Sequence, residues 1–393
     1  MRIAVYTDYA YRSDDEAVYG ERAFVLFVSE LANLVDELVL VGRLDPRPGR
    51  SHYRLSDAIR FVGLPHYATL TRPVAVTRAL AGSIRRFWRV LDDVDTVWLL
   101  GPYLTSLVFV ALAAARRRRI VLGVRQDLPA YTRRRHPGRR WLHVAADALE
   151  VAWRLLARRF PIVVVGPKLA EQYARSRAVL PIAVSLTRAA DVAAPGTLQR
   201  SSPQSPIRVL SVGRLDREKN PLLLAEVLAL LTAGERSWRL VVCGDGPMRG
   251  QLERRLHELN VTDRAELLGY VPLDGGLFDV YRSCDMLLHV SWTEGFPQVI
   301  VEAFAAGLPV VATAVGGVPG AVGDAALLVP PGDAAAASEA LERIAGDTAL
   351  HDALALAGLE RAGEQTLEAE TTRVVRFLSD PHGVAEAPGR SAG

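Results

Sequence analysis

The sequence predicts an α/β protein made of two doubly wound domains joined by a linker. Three observations carry this. Short apolar runs alternate with helical patterns in the first half, a stretch without apolar period follows, and the alternation then restarts. The length of 393 residues fits two or three domains at about 150 residues each. Half the residues are hydrophobic and 23% are charged, which excludes a mostly disordered chain, a collagen and a coiled coil.

In the first half the apolar runs Ile3–Thr7, Leu38–Gly42, Ile59–Gly63, Thr96–Leu100, Ile120–Val124 and Ile162–Gly166 read as strands of a parallel sheet. Helical patterns such as Glu21–Leu34 and His143–Ala157 lie between them. Thr96–Ala115 is uncharged and about long enough to span a bilayer, but Gly101-Pro102 divides it into a strand, a turn and a helix. The first residues do not read as a signal peptide, because RIAVYT stays apolar only briefly before Asp8.

Residues 187–206 (TRAADVAAPGTLQRSSPQSP) have the composition of a linker. Beyond it the strands are expected at Val209–Val212, Leu240–Cys243, Ala265–Leu268, Met286–Val290, Val310–Ala312 and Ala326–Val329. The expected domains are therefore 1–186 and 207–364. A last helix within 365–380 (pattern Gln365–Leu378) is free to return to the first domain, and 381–393 is a disordered tail. Such a pair of domains places ligands in the cleft at the carboxyl ends of the strands.

Charge is unevenly shared. Residues 1–195 hold 30 Lys and Arg against 18 Asp and Glu, whereas residues 196–393 hold 17 against 26. A basic first half favours an anionic substrate or an anionic membrane surface. The arginines of Arg116–Arg119, Arg133–Arg135, Arg139, Arg140, Arg158 and Arg159, with Trp88, Trp141 and Trp153, form either a membrane-facing patch or an Arg-rich solvated surface. No nucleic-acid motif is present, and none is expected as a partner. Cys243 and Cys284 lie in apolar runs and read as buried, reduced thiols of a cytoplasmic protein that lies, if anywhere, peripherally at the inner membrane face. Of 47 basic residues only Lys168 and Lys219 are lysine, so each retained ammonium is a candidate for a special need.

Four motifs in the second half carry chemistry. VGRLDREKNP (212–221) follows a strand and precedes a helix near Pro221. Gly213 allows the turn, and Arg214 and Lys219 can converge there as an anion site suited to a diphosphate, or else pair with Asp216 and Glu218 in a solvated loop. CGDGP (243–247) offers Gly244 for a tight turn or a close backbone approach to a ligand. In SWTEGFPQVIVEAFAAGLPVVAT (291–313) a helix is expected from Pro297 to Ala306, with Pro297 in its first turn and Gly307 ending it. The amides of Phe296, Gln298 and Val299 would then face a phosphate. Glu294 and Glu302 could serve as a hydrolytic acid/base pair; the assignment preferred here is Glu302 on a ribose diol and Glu294 on a sugar hydroxyl. TAVGGVPG (313–320) either faces the same ligand or is a tight turn.

The order GRL…EKN, GDGP, LLGYVP, EGFPQVIVEA and VATAVGGVP over roughly residues 207–333 resembles the retaining glycosyltransferases of family four, the group 1 glycosyltransferases. The resemblance implies the GT-B fold, two doubly wound Rossmann-like domains facing a central cleft, with the donor in the second domain. It implies that Arg214 and Lys219 grip a nucleotide diphosphate, that Glu294 meets the sugar and Glu302 the ribose, and that the backbone at Gly269–Val271 meets the base. The first half departs from the family. The loop DYAYRSDDEAVYGER has a single glycine, Gly20, where a Gly-Gly pair is usual, and Arg125, Gln126 and Asp127 stand where a His is common. Gly320 replaces a usual Glu. Those four residues, Gly20, Arg125, Gln126 and Asp127, are the acceptor-side candidates.

The function expected is metal-independent, retaining transfer from a nucleotide-diphosphate sugar, a co-substrate rather than a cofactor, to an acceptor glycan, lipid or small molecule. Rivals are a sugar-nucleotide epimerase on the same plan and a non-catalytic glycan- or lipid-binding relative. Asp93-x-Asp95 looks like a metal-binding DxD but precedes a strand, as a loop cap would. His289, at a strand end, either reaches the cleft or is a buried structural histidine.

Overall fold

A computed structural model describes residues 1–14, 16–21, 24–51, 53–66, 73–136, 138–194, 205–272 and 275–383. The chain divides into two compact units, Met1–Leu186 with the segment from Glu370 onward, and Thr187–Ala369. Half of the expected linker, 195–204, and the expected tail from 384 onward lie outside the described residues.

The first unit is built on β1 (Arg2–Ser13), β2 (Val18–Gly20), α1 (Phe24–Ala32), β3 (Glu37–Leu44), β4 (Tyr53–Arg54), β5 (Ile59–Leu64), α2 (Pro73–Asp93), β6 (Thr96–Gly101), α3 (Leu104–Ala115), β7 (Arg119–Val124), α4 (Leu128–Arg135), α5 (Arg140–Ala157), β8 (Ile162–Val165), α6 (Pro167–Gln172) and β9 (Val179–Ile182). Parallel strands run β5-β3-β1-β6-β7-β8-β9. One face is filled by Tyr6, Phe87, Phe109 and Trp153, with the Phe87 and Phe109 rings stacked 3.9 Å apart.

The sheet is not wholly parallel, and the segment after the first apolar run is not a loop. β1 continues to Ser13 and pairs antiparallel with β2, which pairs antiparallel with β4. The physical reason is Tyr11, a buried ring whose hydroxyl lies 2.9 Å from Thr7 Oγ1. Gly42 and Gly20 make room for that ring: a Cβ on Gly42 would overlap it, and one on Gly20 would come within 3.2 Å of it and 2.6 Å of Val25.

The second unit holds β10 (Ile207–Val212), α7 (Leu222–Thr232), β11 (Trp238–Cys243), α8 (Arg249–Glu258), β12 (Ala265–Gly269), α9 (Leu277–Arg282), β13 (Met286–His289), α10 (Gln298–Ala305), β14 (Val310–Thr313), α11 (Val318–Val322), β15 (Ala326–Val329), α12 (Ala334–Gly346) and α13 (Thr348–Glu364), and α14 (Leu367–Ser379) follows. Its six strands are all parallel, in the order β12-β11-β10-β13-β14-β15. Both faces are covered. Trp238, Leu228 and Leu341 pack on one side, and Tyr281, Ile300 and Phe304 on the other.

Three further features bear on the expectations above. The first part of the linker is structured: Ala189–Asp191 forms a 3₁₀ turn closed by Asp191, and the Ala193 N–H donates to Ala305 O at 2.8 Å. The last helical pattern, Gln365–Leu378, is the single helix α14, which Thr366 Oγ1 starts as its cap by accepting from the Ala369 N–H at 3.2 Å. Trp153 is not part of a surface patch; it is fully buried against Gly101. Arg116 and Arg119 are also engaged within their unit. Arg116 pairs with Asp92 at 2.8 Å and lies over Trp88, while Arg119 caps the carbonyls of Leu378 and Ser379. No helix among the described residues is long and apolar enough to cross a membrane.

Candidate functional site

In the second unit β11 and β13 flank β10 on opposite sides, so the sheet reverses its winding beside β10. Ligands of doubly wound sheets bind at such a reversal, beyond the carboxyl ends of the strands. A small cavity lies there, lined by Ser211, Gly213, Arg214, Lys219, His289 and Ser291 among others.

The 212–221 segment folds on its own polar groups. Asp216 caps the 3₁₀ turn Arg217–Lys219 by accepting from the amides of Glu218 and Lys219. Arg214 pairs with Asp216 at 2.6 Å and is exposed. Arg214 thus forms the local charge pair. Lys219 behaves differently. Its ammonium contacts the Glu294 carboxylate rather than Glu218, joining the β10 and β13 segments, and Trp292 N reinforces the junction by donating to Glu218 O at 2.8 Å.

His289 completes the cluster. Its Nε2 lies 3.3 Å from the same Glu294 oxygen and 3.2 Å from Ser291 Oγ, and its buried Nδ1 has no partner among the described residues. So His289 is both buried and in contact with the site. Burial pushes the Glu294 carboxyl up, but the His289 contact and the Lys219 ammonium outweigh it and hold the group below its ordinary range.

The glycine motifs serve this architecture by backbone contact. A Cβ on Gly244 would overlap Gly213 O, so the GDGP turn closes against the β10 end. Gly316 (φ +54°) and Gly317 lie against the carbonyls of Glu294 and Gly295, and Gly317 N donates to Glu294 O at 3.1 Å. The Gly-rich loop therefore seats the backbone that carries Glu294. Gly269 O accepts from Gly244 N at 2.7 Å, and Val271 packs on the core.

Pro297 stands at the N-cap of α10 rather than in its first turn, and the Gln298 N–H donates to Phe296 O at 3.1 Å. The Phe296 and Val299 amides have no backbone acceptor among the described residues. Glu302 is only 6% exposed. One of its oxygens accepts from Tyr281 OH at 2.8 Å, and burial, with the nearby Asp191 charge, pushes its carboxyl up despite that bond. Tyr281, Ser291, Trp292 and Thr313 (whose hydroxyl donates to Ser291 O at 2.8 Å) were not singled out in the sequence, since each is defined by a partner distant along the chain.

In the first unit β3 and β6 flank β1, and the register of β1 with β3 shifts between Tyr6 and Ala10. A bulge of this kind re-aims side chains. Around it gather Asp8, Tyr9, Arg43 and Arg125: Arg43 donates to Asp8 O at 2.6 Å, and Arg125 donates to Tyr9 OH at 3.0 Å while lying over Phe24. Burial and the neighbouring Tyr9 push the Tyr103 hydroxyl up beside this group. Of the acceptor-side candidates, only Arg125 belongs to the cluster. Asp127 caps α4 through the Ala130 amide at 2.9 Å, Gln126 is exposed, and Gly20 has the packing role given above. The Asp93-x-Asp95 carboxylates each hold an arginine, Arg60 at 2.9 Å and Arg2 at 3.0 Å.

Two doubly wound α/β units, each with polar groups at its winding reversal, make the architecture of the GT-B proteins. Residues 199–361, the span that carries the sheet of the second unit, match the group 1 glycosyl transferases. The 2-deoxystreptamine glucosyltransferase of Streptomyces kanamyceticus is 34% identical over 219 residues, 54% of this chain and 52% of that protein. The exopolysaccharide phosphotransferase SCO2592 of Streptomyces coelicolor is 36% identical over 146 residues, 36% of this chain and 14% of that protein. The chain spans about half or less of the length of the curated relatives it matches. The crystal structure of Anabaena HepE in complex with UDP superimposes with a TM-score of 0.68 at 19% identity, covering 96% of this chain and all of that one. That likeness shows the fold.

Proposed function

We propose that this protein transfers a sugar, with retention of anomeric configuration and without a divalent metal, from a nucleotide-diphosphate sugar to an acceptor glycan, lipid or small molecule. The observation that carries the reading is the Lys219–Glu294–His289 cluster at the winding reversal beside β10. UDP in the similarly folded HepE, and sugar transfer in the name of the Streptomyces kanamyceticus relative, support the same ligand class.

Lys219 and Arg214 hold the diphosphate. An incoming phosphate competes for Arg214 with Asp216, a pair on the exposed surface and so weakly held. The amides of Phe296 and Val299 add donors at the start of α10. The leaving diphosphate gathers charge as the sugar bond breaks, and cations already in place stabilise that charge without reorganising. Its oxygen takes the acceptor's proton. Glu294 faces the sugar, whose ring turns positive, and Gly213, Gly244 and the Gly269–Val271 backbone bound the nucleotide side. Glu302, already bonded to Tyr281, offers its remaining capacity to the ribose diol.

On the acceptor side the proposal keeps Arg125 and extends it to Asp8, Tyr9 and Arg43, which the β1 bulge gathers. Cys243 and Cys284, free and buried, suit a cytoplasmic setting. The test is donor hydrolysis and transfer in excess EDTA, together with thermal shift by a panel of nucleoside diphosphates. Stabilisation by a diphosphate that Lys219→Ala abolishes, with turnover undiminished by EDTA, is expected. Interconversion of the donor sugar instead would establish the epimerase, and neither activity would leave a binding protein.

A further inference from the structure

Helix α5 packs on the first unit through one face only. Ala146, Glu150, Trp153 and Ala157 are its buried positions. On the opposite side, at the spacing of one helical face, stand Trp141, Val144, Val151 and Leu155, which are 59%, 67%, 58% and 56% exposed. Ala145 and Ala148, also exposed, fill the gaps, so the face is apolar along the whole helix. Scattered exposed apolar residues need no explanation; an aligned stripe containing a tryptophan does.

The charges around the stripe select its occupant. Arg139 and Arg140 flank one end, Arg158 and Arg159 the other, all exposed and with no acidic partner among the described residues. The acids of the helix are already committed: Asp147 pairs with Arg133 at 2.7 Å, and Glu150 is buried against Arg154 and Tyr173. Beside the second end, a cavity of about 330 Å³ is lined by Arg154, Arg158 and Arg175, with Glu171 its one acidic wall. An apolar strip bracketed by unpaired cations matches the boundary of an anionic bilayer, where acyl chains meet acidic headgroups. The long arginine stems can lie on the apolar layer while their heads reach phosphate. A second copy docked face to face through the same helix would bring like cations together and be repelled by them.

We infer that α5 is a membrane-docking helix: its Trp141–Val144–Val151–Leu155 face enters an anionic lipid surface, with the flanking arginines on lipid phosphates. The inference stands apart from the transferase reading, because binding is measured with no donor or acceptor present.

The test uses the full chain and vesicles of phosphatidylcholine with or without phosphatidylglycerol. Flotation with the acidic vesicles is expected, falling with salt as screening increases. Val151→Glu with Leu155→Glu, both exposed and so tolerable for folding, should weaken binding about tenfold or more, and Arg140→Gln with Arg158→Gln by a similar factor. Brominated acyl chains should quench the part of the fluorescence that Trp141→Phe removes. Absence of flotation with acidic vesicles overturns the inference. So does full binding by Val151→Glu/Leu155→Glu, a Trp141 signal untouched by bromolipid, or a dimer in sedimentation that this double variant dissolves.

Discussion

Replacing Lys219 with methionine keeps an unbranched apolar stem and removes only the ammonium. Two consequences follow from its surroundings. The first is on stability. Glu294 is 13% exposed and Lys219 32%, so the pair lies between a buried and a surface ion pair. Breaking a buried pair costs about 3–5 kcal/mol and a surface pair about 0–1, which puts this loss at about 1–3 kcal/mol near neutral pH. The loss depends on pH. Glu294 titrates below its ordinary range in the native protein, so its stabilising contribution is present above the unfolded carboxylate value and lost as pH falls through the lower folded one. Without Lys219, burial is opposed chiefly by His289, and the carboxyl rises. The stability gap between the two proteins should therefore shrink as the solution is acidified. The second consequence is on turnover. A charge-assisted contact to the departing diphosphate contributes about 2–4 kcal/mol, a roughly thirtyfold to thousandfold loss in kcat/KM. Denaturant titrations across the carboxylate range and steady-state kinetics measure both. Turnover near that of the wild type would refute the diphosphate role. A gap that does not change with pH would refute the account of Glu294.

Glu302→Gln should raise the donor KM several-fold and leave kcat within about twofold, because a ribose contact is equal in ground and transition states. Since burial pushes the Glu302 carboxyl up, its contribution is fullest in acid and falls as pH rises through the raised value; the glutamine variant should lack that fall, as thermal denaturation against pH will show. Glu294→Gln should instead lower kcat with little change in KM. Gly316→Ala should destabilise the protein by about 1–3 kcal/mol and lower kcat, since the residue has φ +54° and its Cβ would overlap Glu294 O; a fully active, equally stable variant would show that the Gly-rich loop does not seat Glu294.

The strands were legible because parallel strands buried on both faces are written as short apolar runs, such as Leu38–Gly42 within β3 and Val310–Ala312 within β14. The extension of β1 was not, since Asp8–Ser13 mixes charge with aromatic residues and its pairing depends on Gly20 and Gly42, remote glycines that admit Tyr11. The site shows the same division. Lys219 and Glu294 could be singled out from their motifs, but their direct contact could not, because it is made by the packing of two loops. Asp8, Tyr9 and Arg43 gave no signal, since only a bulge turns an ordinary strand segment toward a ligand. Asp127 and Gly20 look functional by position and are accounted for by a cap and a ring contact.

The scarcity of lysine gives the Lys219–Glu294 contact a practical consequence. An acylating reagent selective for amines meets three on this chain: the terminal amine, Lys168 and Lys219. Lys168 is exposed, whereas the Met1 amine is drawn to Asp36 and Lys219 is walled by Glu294 beside the buried His289. Mass spectrometry of a briefly labelled sample thus gives an internal clock at Lys168 against which the Lys219 adduct is timed. A nucleoside diphosphate seated on the ammonium would slow that adduct alone, so occupancy can be read without identifying any sugar or acceptor.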